Sequence, residues 1–170
     1  AGDLVVGEDS LVLQRGSLCS TKSPVVDGWV NISEDIAWIA GVMVGNGFSG
    51  RSPSATSETW ELKVNTIAEA NRATALLDKH GISYNETEFH WGYTIRSYGA
   101  AGRSFWSRLG LWNKTGCKEV PNWALKLNER ESGAFLRGLF DTGGTVNQLP
   151  NGRVSIGLSN TSEQVVESAQ

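Results

Sequence analysis

The stretch Trp38–Gly50, WIAGVMVGNGFSG, returns in pattern 97 residues later as Gly133–Gly144, GAFLRGLFDTGG, and an internal repeat of this kind limits the available folds more than any other feature of the chain. Ala37, Gly41 and Gly45 recur as Ala134, Gly138 and Thr142, a stripe of small residues at i, i+4 and i+8 in each copy. Such stripes let two helix backbones approach closely, which offsets the loss of roughly 1 kcal/mol for a glycine inside a helix. The two copies are therefore expected to pack on each other.

The flanking residues make the first copy a helix. Ser33 is a good N-cap, Glu34 and Asp35 suit a first turn, and Ile36, Ile39, Ala40 and Met43 recur at helical spacing. Gly45, Gly47 and Gly50 spell G-x-G-x-x-G, but here a helix enters the glycines, and a loop with Pro53 and the alternating strand TWELKVN come after them. A dinucleotide-binding turn needs the reverse order, a strand and then a helix whose first N–H groups face the pyrophosphate. That function is set aside.

The segment after each copy repeats as well. Trp60, Leu62 and Val64 alternate with Glu61, Lys63 and Asn65, and Val154, Ile156 and Leu158 alternate with Arg153, Ser155 and Ser159, which predicts two half-buried strands. Asn65-Thr66 and Asn160-Thr161 are cap signals leading into IAEANRATALLDKHG and SEQVVESAQ. In the first copy, ISYNETEFHWG and YTIRSYG predict two more strands and RSFWSRLGLW a third helix. The result is an α+β unit of order αββαββα, whose second occurrence stops at Gln170 inside its second helix. The expected organisation is an N-terminal extension or linker over 1–32, a first repeat over 33–115, and a truncated second repeat with its preceding segment over 116–170.

Charge and cysteine usage narrow the classes further. With 18 acidic and 15 basic residues and a net charge of -3, the chain lacks the bulk basicity of small nucleic-acid binders, although a local basic face is compatible with that total. Cys19 and Cys117 stand apart from any C-x-x-C pair or zinc-spaced histidines, which argues against a structural metal and a disulfide framework. Neither a charged and apolar leader nor a run of about 18 apolar residues is present, so the expectation is a soluble chain, cytoplasmic or otherwise intracellular, with no targeting signal and no membrane partner.

With the repeat and its strands in place, the residues resemble the LAGLIDADG homing endonuclease family found in inteins and introns. Ile39–Gly47 and Leu136–Gly144 carry the two motifs, and CKEVPNWAL, with Lys118 and Pro121, resembles the family's lysine-x-aliphatic-proline block. The resemblance implies two pseudo-symmetric halves, motif helices packed at the centre, and curved antiparallel sheets straddling the major groove of double-stranded DNA. It also implies cleavage of both strands with divalent cations, normally magnesium, held by an acid at the eighth position of each motif. A hard cation wants carboxylate oxygens, polarises the phosphoryl group and helps to generate hydroxide.

Those two positions hold Asn46 and Gly143. An amide oxygen supplies no charge and glycine supplies no side chain, so productive magnesium binding is expected to be lost. Asp141 lies nearby in sequence, yet two residues along a helix point about 200° apart. Lys118 is open to two readings, a residue beside the scissile phosphate or an ordinary surface lysine. The candidate catalytic positions are therefore Asn46, Gly143 and Lys118, and the candidate DNA-facing side chains are Lys63, His90, Thr94, Arg96, Arg153 and Ser155, against the plainer reading of solvated strand faces.

Two functions stand as expectations: a degenerate homing endonuclease that no longer cleaves, or a non-cleaving DNA-binding or structural domain of intein-like or maturase-like kind. Neither a catalytic N-terminal cysteine nor a terminal His-Asn pair is present for splicing. The short second half is expected to expose strand edges together with Val154, Ile156 and Leu158, and to be completed by self-association with another copy.

Overall fold

The computed structural model describes residues 4–5, 32–51, 58–112, 118–160 and 162–168. Cys19, Cys117, the Pro53 loop, Thr161 and most of the 1–32 extension lie outside the described residues. None of the described helices is long and apolar enough to cross a membrane.

Helix α1 (Glu34–Asn46) starts where Ser33 Oγ accepts the Ile36 N–H at 3.3 Å, and every residue from Ile36 to Val44 is buried. A helix that is apolar all round belongs in an interior, and α1 is the central element of the molecule. Strands β2 (Phe48–Arg51), β3 (Glu58–Val64), β4 (Asn85–Phe89) and β5 (Gly92–Ser97) form one antiparallel sheet in the order β2-β3-β5-β4. Helix α2 (Ile67–Lys79) follows β3 and opens with a capping box, Thr66 and Glu69 each satisfying the other's backbone N–H. Helix α3 (Ala100–Arg108) closes the first unit and buries Trp106 edge-on against Trp60 of β3, with ring centroids 5.6 Å apart.

The second unit begins with α4 (Glu129–Gly143), capped by Asn128 Oδ1, which accepts from the N–H groups of Arg130 and Glu131. It continues through β6 (Gly144–Gln148), β7 (Val154–Leu158) and α5 (Glu163–Ser168). The architecture is α+β, with one complete αββαββα unit and the first four elements of a second.

The two motif helices meet backbone to backbone, with an internal symmetry visible atom by atom. A Cβ on Gly41 would overlap the Phe135 carbonyl oxygen and lie 2.9 Å from the Leu139 nitrogen; a Cβ on Gly138 would overlap the Trp38 carbonyl oxygen and lie 2.9 Å from the Val42 nitrogen. Trp38 and Val42 are the repeat equivalents of Phe135 and Leu139. Further along, Gly45 faces the Thr142 hydroxyl, which is folded back onto the Gly138 carbonyl at 3.1 Å. Ala37 is wholly buried, and Ala134 is half-buried against the core.

Four expectations are corrected. The first of the two strands expected between the first and second helices, which the sequence reading had not placed, is β2, starting at Phe48 immediately after Gly47. Strand β3 is covered on both faces, because Thr59 and Glu61 are sunk among cross-strand neighbours while Trp60, Leu62 and Val64 enter the core. In β7 the residues expected to be uncovered, Val154, Ile156 and Leu158, are half-buried, and Ser155 is fully buried, because a short side chain in a middle strand sinks between its neighbours. Finally, the second sheet has three strands in the order β1-β7-β6, since β1 (Leu4–Val5) pairs antiparallel with Ile156 and Ser155. One edge of the β6–β7 pair, where unpaired strand edges were expected, is thus paired with β1, and β6, with Val146 72% exposed, is the outer strand.

Added methyl groups test the helix contact. Gly41→Ala and Gly138→Ala are each expected to destabilise the fold by about 3 kcal/mol or more, at or beyond the upper end for overpacking, because rigid backbone lies in the way. Gly133→Ala on the same α4 meets nothing within 4 Å, and it is expected to stabilise by roughly 0.5–1 kcal/mol. Urea unfolding of the three variants checks both signs; a tolerated alanine at 41 or 138 would contradict the contact.

Candidate functional site

Helices α1 and α4 end side by side, which brings Asn46 and Gly143, their last residues, to a common floor. Helix C-termini carry partial negative charge and unpaired carbonyls, and each here is served by a donor from the opposite half. Asn65 Nδ2, just beyond β3, donates to the Asp141 carbonyl of α4 at 2.6 Å, and Asn160 Nδ2, just beyond β7, donates to the Val44 and Gly45 carbonyls of α1 at 3.2 Å. Asp141 and Val44 are equivalent motif positions, so the exchange is reciprocal. The sequence had marked Asn65 and Asn160 as cap signals for the helices that follow them; their reach across to the motif helices depends on the fold.

Lys118 joins this floor. Its Nζ lies 3.5 Å from the Gly45 carbonyl, and its backbone carbonyl accepts from Ser162 Oγ at 2.6 Å. Burial, assisted by the nearby Lys63 charge, pulls its pKa from 10.5 down to about 8. Lys118 is therefore a half-buried cation at the foot of the motif helices and not a freely solvated surface lysine.

The donor set at the floor does not fit a divalent cation. Asn46 is exposed and offers a neutral amide, and Gly143 offers no side chain. The Asp141 carboxylate points elsewhere: it accepts from Trp38 Nε1 at 3.1 Å and lies 3.7 Å from Arg137 Nε. Among the described residues, no group of three or more His, Cys, Asp or Glu side chains converges. A Cβ at Gly143 would stand 3.1 Å from the Ser159 carbonyl, a tight fit that a shift of a few tenths of an ångström relieves. Glycine at this position is not demanded by its backbone geometry.

The outward face of the first sheet adjoins the floor. Register pairs Glu61 with Arg96 and Lys63 with Thr94, so these four share one face with Thr87 and Phe89 of β4. Thr94 is buried between Lys63 and Thr87 and is not presented to a partner. Lys63 and Arg96 remain accessible, but both contact Glu61, Lys63 at 3.3 Å and Arg96 through Nε at 2.7 Å. His90 lies exposed in the β4–β5 turn, beside Phe89 and Trp91, whose rings stack 5.2 Å apart. On the second sheet Arg153 is exposed in the turn before β7, and Ser155 is buried, which removes it from the presented set. Glu61 is the residue that sequence reasoning missed; its position two residues before Lys63 on one strand face was the available signal.

Residues 130–170 match the family model of the LAGLIDADG-like domain. No curated protein sequence matches the chain. Among solved structures, I-DmoI in complex with DNA and Mn is 13% identical over 76% of this chain and 91% of that one, with a TM-score of 0.46. The N-terminal LAGLIDADG domain of WhiA is 14% identical over 80% of each chain, with a TM-score of 0.39. I-WcaI bound to its DNA recognition sequence is 10% identical over 83% of this chain and 82% of that one, with a TM-score of 0.38.

The Lys118 environment has a measurable consequence. Below about pH 8 the ammonium is charged in both folded and unfolded chains, and its desolvation opposes folding. Between about 8 and 10.5 the unfolded chain holds a proton that the folded chain has shed, so stability relative to a Lys118→Met variant rises with pH across that window. An NMR titration of the lysine side chains is expected to show one amine with a midpoint near 8, moving upward in a Lys63→Met variant. A Lys118 midpoint at the ordinary lysine value would refute the burial argument.

Proposed function

We propose that the chain, whose residues 130–170 match the LAGLIDADG-like domain, binds double-stranded DNA across its sheets without hydrolysing the phosphodiester backbone. The observation that carries this reading is the floor of the motif helices, where the two equivalent positions hold an exposed amide and no side chain and where Lys118 supplies the charge. Two-metal hydrolysis needs anionic oxygens to hold cations against the attacking and leaving groups. A lysine can hold a phosphate by charge, but it generates no hydroxide from water at neutral pH.

Each residue then has a definite task. Lys118 faces the phosphate that the fold brings to the feet of α1 and α4, while Lys63 and Arg96 present donors to groove edges or flanking phosphates. Asn65 and Asn160 hold the two helix ends in register by donating to the Asp141, Val44 and Gly45 carbonyls. Magnesium, the ion the family resemblance implies, has no anionic ligand here and enters no step. The intein-like or maturase-like structural reading shares this floor; retention of duplex binding separates the two, because a purely structural domain has no use for it.

The test uses purified chain and duplex libraries. No Mg2+-dependent cleavage above background is expected, together with duplex binding whose log K falls against log salt with a slope of roughly -3, as three phosphate contacts would give. Asn46→Asp combined with Gly143→Asp is expected to create Mg2+-dependent thermal stabilisation that the unchanged chain lacks. Cleavage by the unchanged chain would sink the proposal, and failure to bind duplex at low salt would leave the structural reading in its place.

A further inference from the structure

Glu61 occupies an unexpected place for an acid on a face that presents cations to DNA. It is only 8% exposed, it sits mid-strand opposite Arg96, and its two oxygens are divided between neighbours. One oxygen faces Lys63 at 3.3 Å; the other takes Arg96 Nε at 2.7 Å and an N–H of the same guanidinium's Nη2. Both cations nevertheless stay accessible, with 41% of the Lys63 and 47% of the Arg96 side chain exposed.

Stability does not account for this arrangement, since a desolvated ion pair contributes little net free energy. Phosphate holding does not account for it either. A carboxylate at the centre of the face lowers the local positive potential and repels a phosphate. What the carboxylate does supply is orientation: a guanidinium has five N–H groups in a rigid fork, and anchoring one side fixes where the rest point. A fixed, half-exposed guanidinium is the group that reads O6 and N7 of guanine in the major groove.

We propose that Glu61 is a positioning residue that orients Arg96 to read a guanine, at the expense of affinity for the phosphate backbone. This rests on the DNA-binding reading above. The arrangement separates specificity from affinity, so removal of the carboxylate moves the two in opposite directions.

The experiment selects preferred duplexes from a randomised library with the unchanged chain, Glu61→Gln and Arg96→Lys, and measures affinity for the selected duplex and for unrelated DNA. Glu61→Gln is expected to bind unrelated DNA several-fold more tightly, with a steeper salt dependence, and to lose about tenfold or more of its preference for guanine at one position. Arg96→Lys, which keeps the charge and sits at the surface, is expected to lose preference at that same position. A purely structural role for Glu61 would change stability without changing a single base preference. Should the unchanged chain show a base preference that Glu61→Gln or Arg96→Lys leaves intact, this inference falls and the DNA-binding reading stands. Should the unchanged chain bind no duplex, both fall.

Discussion

The contact between α1 and α4 is made by backbone atoms, with Gly41 set against the Phe135 carbonyl and Gly138 against the Trp38 carbonyl. The shared floor of the two helices depends on that proximity. At ordinary side-chain separation, helix axes stand 8–10 Å apart and their ends part accordingly. With backbone in contact, the two helix feet share one floor, and a donor just past the strand of one half can reach the helix end of the other. The Asn65 and Asn160 bonds are the product of that closeness, and they also enforce it: each ties a sheet to the opposite helix, so neither half can slide along the other without breaking a cap.

How much of this was legible in the sequence depends on the range of the physics involved. The small-residue stripes are local patterns, and so are the Ser33 cap and the Thr66–Glu69 box, and each states its structure within a turn or two. Strand β2 was not legible, because Phe48–Arg51 carries a glycine and lies beside others, and what makes it extended is pairing with Glu58–Glu61. Alternation in Val154–Leu158 announced a strand, but alternation says that two faces differ and not which one is covered. Which strands flank β7 was set by pairings distant in sequence, among them that with Leu4–Val5. Glu61 is the same problem at a single residue. Its role arises from register with Arg96, 35 residues away, and no window along the chain contains both.

At the floor itself, the loss of acids and the state of Lys118 are two aspects of one electrostatic fact. A half-buried ammonium keeps its ordinary pKa only when an opposite charge repays its desolvation. Carboxylates at positions 46 and 143 would supply such charge. Asn46 and Gly143 supply none, Lys63 adds repulsion, and Asp141 spends its charge on Trp38 and Arg137. The ammonium is left to the weak attraction of the Gly45 carbonyl and the α1 terminus, and its pKa falls to about 8. The floor thus carries an ammonium that no carboxylate at position 46 or 143 balances. An anion placed at this floor would offset that desolvation and raise the Lys118 pKa, and under the DNA-binding proposal a duplex phosphate is an anion of that kind.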